Sequence, residues 1–307
     1  ADGQKKEVYC NIGNISDAVT ASEKSGEGIG LFRTEFLFME SEHAPDEELQ
    51  FETYKKAAQL FKDGSVIIRT LDVGGDKNIP YLGMQPEDNP FLGFRAVRYC
   101  LENKELFRTQ LKAILRTSAF GCIKIMVPLV TGVIEIRQVR QLIEEIKCEL
   151  EAEGADFDRN IQLGAMIETP AASMIADLLA KECDFFSIGT NDLTQYTMAA
   201  DRGNTQVSYL NNVYEPAVLR SIRHIIKCAG EAGIPVGMCG EAAADPMMTP
   251  LLIAFGLDEF SVNPASVLRT RYNISRWTKE EADRIADAAM ALETAAEIEK
   301  YLKEVIK

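Results

Sequence analysis

The chain has 307 residues, enough for one large domain, and its 46% hydrophobic and 26% charged residues are the proportions of a chain that buries a full core. Its formal charge of −14 excludes an extended nucleic-acid surface, because a phosphate backbone is held by stripes of Lys and Arg. No apolar run approaches the roughly 20 residues that cross a bilayer, so membrane insertion is excluded as well.

Short apolar runs rich in β-branched residues alternate with helix-length amphipathic stretches along the chain, the pattern of repeated βα units and a parallel sheet. Eight runs read as strands: Val8–Ile12, Gly28–Arg33, Val66–Leu71, Ile123–Leu129, Gln162–Ile167, Phe185–Ile188, Pro235–Met238 and Glu259–Val262. Eight parallel strands close into an α/β barrel, so the predicted fold is a (β/α)8 TIM barrel occupying residues 1–307 as a single domain. Helices are predicted over Asp46–Phe61, Gly93–Ser118, Val133–Ala152, Ala171–Ala180, Pro216–Ala232 and Asp245–Ala254. In the third of these, Leu142, Ile143, Ile146 and Leu150 repeat at the helical spacing. Between Asp72 and Asn89 the chain is rich in Gly, Pro and Asp without periodicity and reads as an extended, functional loop after the third strand. The tail from Thr278 opens with a Thr-x-x-Glu capping box and reads as one Ala- and Glu-rich helix to Lys307.

Barrel enzymes place their chemistry at the carboxyl ends of the strands, so those ends carry the functional reading. The second strand ends in Arg33 and the third in Arg69, and a guanidinium fork suits phosphate or carboxylate because it donates two parallel hydrogen bonds. Salt bridges to the adjacent Glu35 and Asp72 are the competing explanation. Lys77 and Arg95, in the loop that follows, either add positive charge to the mouth or are solvated. Glu168 ends the fifth strand and Asp192 follows the sixth; two carboxylates on one face fit a hard cation such as Mg2+ that keeps places for water and substrate oxygens. Helix capping by Asn191 or Asp192 is the alternative. Cys239 ends the seventh strand, where a small buried core cysteine is the usual outcome. The seven cysteines, Cys10, Cys100, Cys122, Cys148, Cys183, Cys228 and Cys239, show no paired metal spacing, and no secretory leader is evident, so reduced thiols in a cytoplasmic setting are expected. His43 and His224, the two histidines, stand at no strand end.

Six motifs carry a resemblance: GIGLFRTEFLF at Gly28–Phe38, TLDVGGDK at Thr70–Lys77, NPFLGFR at Asn89–Arg95, GAMIETP at Gly164–Pro170, IGTNDLTQY at Ile188–Tyr196 and GMCGE at Gly237–Glu241. Together they resemble the phosphoenolpyruvate-binding C-terminal domain of the enzymes I of bacterial sugar phosphotransferase systems, over essentially the whole chain. Pyruvate phosphate dikinase and phosphoenolpyruvate synthase share the barrel and parts of these motifs, but QYTMAADRGN at Gln195–Asn204 is similar to enzyme I. The resemblance implies that Arg33, Arg69 and Arg202 grip a phosphoryl group with help from Asn191, that Glu168 and Asp192 bind magnesium, and that Cys239 delivers a proton to carbon 3 of an enolate. It further implies a homodimer that transfers the phosphoryl group of phosphoenolpyruvate to a histidine on a separate N-terminal domain, and through it to a histidine phosphocarrier protein. On that reading the chain is an isolated C-terminal domain that does not complete transfer alone. The competing functions are a fragment of a dikinase or synthase, a metal-dependent pyruvate lyase or aldolase, and a non-catalytic binding and dimerisation module.

Overall fold

Eight short parallel strands pair in chain order, and the last pairs with the first: β1 (Glu7–Ile12), β2 (Ile29–Arg33), β3 (Ser65–Arg69), β4 (Cys122–Val127), β5 (Gln162–Ile167), β6 (Phe186–Ile188), β7 (Val236–Met238) and β8 (Glu259–Val262). The result is the closed (β/α)8 barrel that the alternation of apolar runs predicts. A computed structural model of the protein describes residues 2–74 and 79–306. The strands are buried nearly throughout, because barrel on one side and helices on the other leave no face for water; this is why they read as continuous apolar runs rather than as alternating ones.

Two cores result. The larger lies between strands and helices and takes in Val8, Ile68, Ile125, Leu163, Ile188 and Phe260 with the apolar faces of the helices. The smaller fills the barrel and consists of Leu31, Ile67, Met126, Met166, Phe185 and Cys239. Side chains alternate along a strand, so the residue two beyond each inward apolar position also points inward, nearer the mouth. In this way Leu31 is followed by Arg33, Ile67 by Arg69 and Met166 by Glu168. The floor of the mouth is apolar and its wall is charged.

Several predicted elements need correction. The helix expected over Gly93–Ser118 is two helices, Val97–Glu102 and Lys104–Thr117; the Asn103 side chain donates to the Tyr99 carbonyl at 2.9 Å and ends the first of them. The expected Ala171–Ala180 helix likewise breaks into Pro170–Met174 and Ala176–Leu179, and the one expected from Asp245 starts at Met248. The tail is two helices, Lys279–Met290 and Ala295–Val305, because Thr294 and Glu297 form a second capping box. Helices at Ile15–Glu23, Glu35–Met39, Thr190–Thr197 and Val267–Ser275 escape the periodicity reading, being short or weakly patterned. The loop after β3 contains single 3-10 turns at Pro80–Leu82 and Pro90–Leu92, and Tyr81 ties it down by donating to the Phe38 carbonyl at 2.5 Å.

Candidate functional site

At the carboxyl ends of the strands a cavity of about 350 Å³ is walled by Arg33, Arg69, Arg95, Glu168, Asn191, Asp192, Arg202 and Cys239, among others. These residues come from β2, β3, the loop after it, the position just past β5, the start of the Thr190–Thr197 helix, the segment after that helix, and the position just past β7. Lys77 lies outside the described residues. His43 and His224 are not part of the wall; His224 sits on the Pro216–Ala232 helix, 3.6 Å from the Cys228 sulfur.

Arg33 and Arg69 are partners in register on neighbouring strands, which brings two cations side by side. Arg69 is buried and ion-paired to Glu35 (2.6 Å) and Asp72 (3.1 Å). Asp72 also holds Arg95 (2.8 Å), Arg95 reaches Asp192 (3.4 Å), and Asp192 holds Arg202 (2.8 Å). An alternating chain of charge thus runs from Glu35 to Arg202, crossing from β2 to β6. Arg33, half-buried, forms no ion pair among the described residues. The salt bridges weighed for Arg69 against an anion-binding role therefore exist, and the same side chain still faces the cavity.

Burial alone would pull a guanidinium pKa down. At Arg69 the charges of Glu35, Asp72 and Glu168 outweigh it, and at Arg95 those of Asp72, Asp192 and Tyr196 do, so both end above the usual value and stay cationic. The Nε of each is buried without a hydrogen-bond partner among the described residues. Buried donors are seldom left so, and an incoming anion is one way to use spare donor capacity.

Glu168, 3% exposed, accepts from the Leu129 backbone N–H at 2.7 Å. Burial, then the charges of Asp192 and Asp72, push its pKa well above the usual carboxylate range, with Arg69 and Arg95 opposing. The carboxyl group fits this spot because Gly189 follows β6: a Cβ there would stand 2.6 Å from Glu168 Oε2. Leu129 itself holds a left-handed φ of 54°, which costs a non-glycine residue energy. Ala96, next to Arg95, and Ala199, three residues before Arg202, share that conformation, with φ of 52° and 51°. Of the four such non-glycine residues among those described, three therefore adjoin or support wall residues.

Cys239 is 5% exposed and packs with Met166, Leu31 and Phe185 in the barrel interior while lining the cavity floor. Core packing and cavity lining are one position here. Burial pushes the thiol up to about 11; a hydrogen bond with Ser187 and the charges of Arg69 and Arg33 oppose the rise, and Glu168 adds to it. Asn191 exchanges long hydrogen bonds with Glu241, at 3.5 Å to its carboxylate and 3.3 Å from its backbone N–H.

Sequence reasoning passes over Tyr196, Phe91 and Leu129. Tyr196 OH accepts from Arg95 Nη1 at 3.1 Å and donates to the Phe91 carbonyl, and the Phe91 ring lies 5.8 Å and 5.6 Å from the guanidinium carbons of Arg95 and Arg202. Tyr196 stands four residues after Asp192 on one helix, and that i, i+4 spacing is the signal that places both on the same face.

The wall of this cavity carries four guanidinium groups, five carboxyl groups (Glu35, Asp72, Glu168, Asp192 and Glu241) and the Cys239 thiol. The PEP-utilising enzyme model, PEP-binding domain, matches residues 1–279, and the chain belongs to that family. It is similar to the phosphoenolpyruvate-protein phosphotransferases of Priestia megaterium (47% identity over 99% of this chain and 53% of that protein), Geobacillus stearothermophilus (49%, 99% and 52%) and Bacillus subtilis strain 168 (46%, 100% and 54%). The chain spans about half the length of these relatives. Among solved structures, a citrate lyase from Burkholderia xenovorans LB400 superposes with a TM-score of 0.55 at 14% identity, over 99% of this chain and 91% of that one. An HpcH/HpaI aldolase/citrate lyase family protein from Burkholderia cenocepacia J2315 gives 0.53 at 12%, over 90% and 95%. At such identities these two likenesses bear on the fold alone. No helix among the described residues is long and apolar enough to cross a membrane.

Proposed function

We propose that this domain binds phosphoenolpyruvate together with Mg2+ and donates its phosphoryl group to a histidine on a partner domain, leaving pyruvate. The observation that carries this reading is the convergence of Arg33, Arg69, Arg95, Arg202, Glu168, Asp192 and Cys239 on one cavity of about 350 Å³. The names and identities of the relatives support the reaction class.

The donor set fits magnesium. Glu168 and Asp192 offer only oxygen, and magnesium commonly uses one or two carboxylates and keeps its other places for water and substrate. Glu168 is pushed toward its protonated form by burial and, after it, by the neighbouring carboxylates Asp192 and Asp72, a condition that a dication relieves. Bound there, magnesium would neutralise charge on the phosphoryl and carboxylate oxygens.

Phosphoryl transfer asks the protein mainly for positioning and charge neutralisation. Arg33, Arg69 and Arg202, with Asn191, hold the phosphoryl group; Arg95, fixed between two acids, adds positive charge, and Lys77 is assigned the same part. As the bond from phosphorus to the bridging oxygen breaks, the phosphoryl group passes to an imidazole nitrogen and an enolate remains. Cys239 gives its proton to carbon 3. With its pKa raised to about 11 the thiol is protonated at neutral pH, and Arg33 and Arg69 stabilise the thiolate it becomes.

Homodimerisation, a phosphohistidine domain, a histidine phosphocarrier protein downstream and a cytoplasmic setting belong to the same proposal, as does the assignment of the chain to one barrel domain of a longer protein. The test mixes the domain, phosphoenolpyruvate and Mg2+ with the separately expressed N-terminal half of the Bacillus subtilis relative. Pyruvate and phosphohistidine on that half should form only when all are present. Pyruvate and inorganic phosphate formed without the second protein would mean transfer to water rather than to a histidine, and phosphate on His224 would contradict the scheme.

A further inference from the structure

We propose that Arg202 has two settings: in the ligand-free domain it stands in for a divalent cation on Asp192, and it turns to the ligand's phosphoryl group once a cation takes that place. The inference rests on the reading of the site given above and adds the order in which the site fills.

Both oxygens of Asp192 are taken by guanidinium groups, Oδ1 by Arg202 Nη1 at 2.8 Å and Oδ2 by Arg95 Nη2 at 3.4 Å. A metal ligand so occupied is not open. The two guanidinium groups differ in how they are held. The Arg95 side chain is 3% exposed and is gripped also by Asp72 at 2.8 Å and Tyr196 at 3.1 Å, so it cannot leave without stranding buried acids. The Arg202 side chain is 36% exposed, and Asp192 is its one carboxylate partner among the described residues. Its backbone, in contrast, is anchored: the Arg202 N–H donates to the buried Gln195 side chain at 3.0 Å, after a turn that runs through the left-handed Ala199. A rotation of the side chain alone therefore suffices to exchange partners, and the Phe91 ring, 5.6 Å away, offers a face along which it can turn.

The consequence is a linkage. Without a cation the site neutralises itself, and an anion must take Arg202 away from Asp192. With a cation on Asp192, the guanidinium is repelled and becomes a free donor in the cavity that Arg33 also lines. Cation and anion should each tighten the other, beyond their direct attraction, because both gain from the same broken ion pair.

The test is electron paramagnetic resonance titration with Mn2+ in the absence of any anion, on the unmodified domain and on Arg202→Gln. The variant should bind Mn2+ more tightly, by a factor within the range of about 5 to 150 typical of coupled sites. A side chain needed only for folding would move affinity the other way. In the unmodified domain, modification of Arg202 by phenylglyoxal, followed by mass spectrometry, should speed up when Mn2+ alone is added and slow when oxalate follows, with Arg95 unreactive throughout. Equal or weaker Mn2+ affinity in Arg202→Gln, or an Arg202 modification rate that Mn2+ does not raise, overturns the proposal. Mn2+ binding that survives Glu168→Gln and ignores oxalate would sink the reading of the site itself, and the two-setting Arg202 with it.

Discussion

The four arginines around the mouth divide into two pairs. Arg69 and Arg95 are buried and each is held by two carboxylates, whereas Arg33 has no ion-pair partner among the described residues and Arg202 has one, at the solvent edge. A buried charge survives only with partners, so the first pair is part of the architecture of the barrel mouth. The second pair costs the fold little and is available to a ligand. The same residue type at the same rim thus plays different parts: the second pair is left to the ligand, whereas Arg69 is fixed by the fold and still faces the cavity.

The sharpest way to break this comparison is to remove one arginine of each kind. Arg69→Met should destabilise the domain by about 3–5 kcal/mol, because Glu35 and Asp72 would lose a buried counter-charge. Arg33→Met, which breaks no ion pair among the described residues, should stay within about 1 kcal/mol of the parent in urea unfolding yet bind phosphoenolpyruvate weakly. Equal losses of stability would erase the distinction.

Cys239 tests whether core packing and chemistry separate at one position. Cys239→Ala should fold and bind phosphoenolpyruvate much as the parent does, while pyruvate formation with the added N-terminal half drops by about 10² to 10⁴, the usual cost of a positioned acid. A Cys228→Ala control, on the Pro216–Ala232 helix, should keep both. Loss of folding and binding together in Cys239→Ala would return the residue to a packing role; full turnover would mean another group is the acid.

A smaller effect concerns the thiols themselves. Cys122 and Cys148 are exposed, whereas Cys239 is buried with its pKa pushed up to about 11. Iodoacetamide at pH 8 should therefore label the exposed pair first, and the rate at Cys239 should climb as the pH rises toward 11, since only the thiolate reacts. Prompt labelling of Cys239 at pH 7 would show a thiol less suited to act as an acid.

Much of this was legible in the chain. Strands buried on both sides announce themselves as unbroken apolar runs, and a charged residue directly after such a run, as at Arg33, Arg69 and Glu168, marks the mouth, where charged groups from several strand ends can meet. Helices such as Ile15–Glu23 and Val267–Ser275 were less so, being short and weakly periodic. What no local pattern conveys is the pairing of distant groups. The Leu129 N–H that holds Glu168, the Tyr196 hydroxyl that holds Arg95 and the chain of charge from Glu35 to Arg202 join segments that only the closed barrel brings together. Sequence also posed salt bridging and ligand binding at Arg69 as rivals, when a buried arginine facing a cavity does both.

The most direct test of the account is a calorimetric titration of the domain with phosphoenolpyruvate in Mg2+ and in chelator, repeated on Glu168→Gln. The account predicts that affinity falls at least about tenfold, roughly 1.4 kcal/mol, when Mg2+ is removed, and that Glu168→Gln in Mg2+ resembles the parent in chelator. Equal affinity with and without Mg2+ in the parent domain would contradict it.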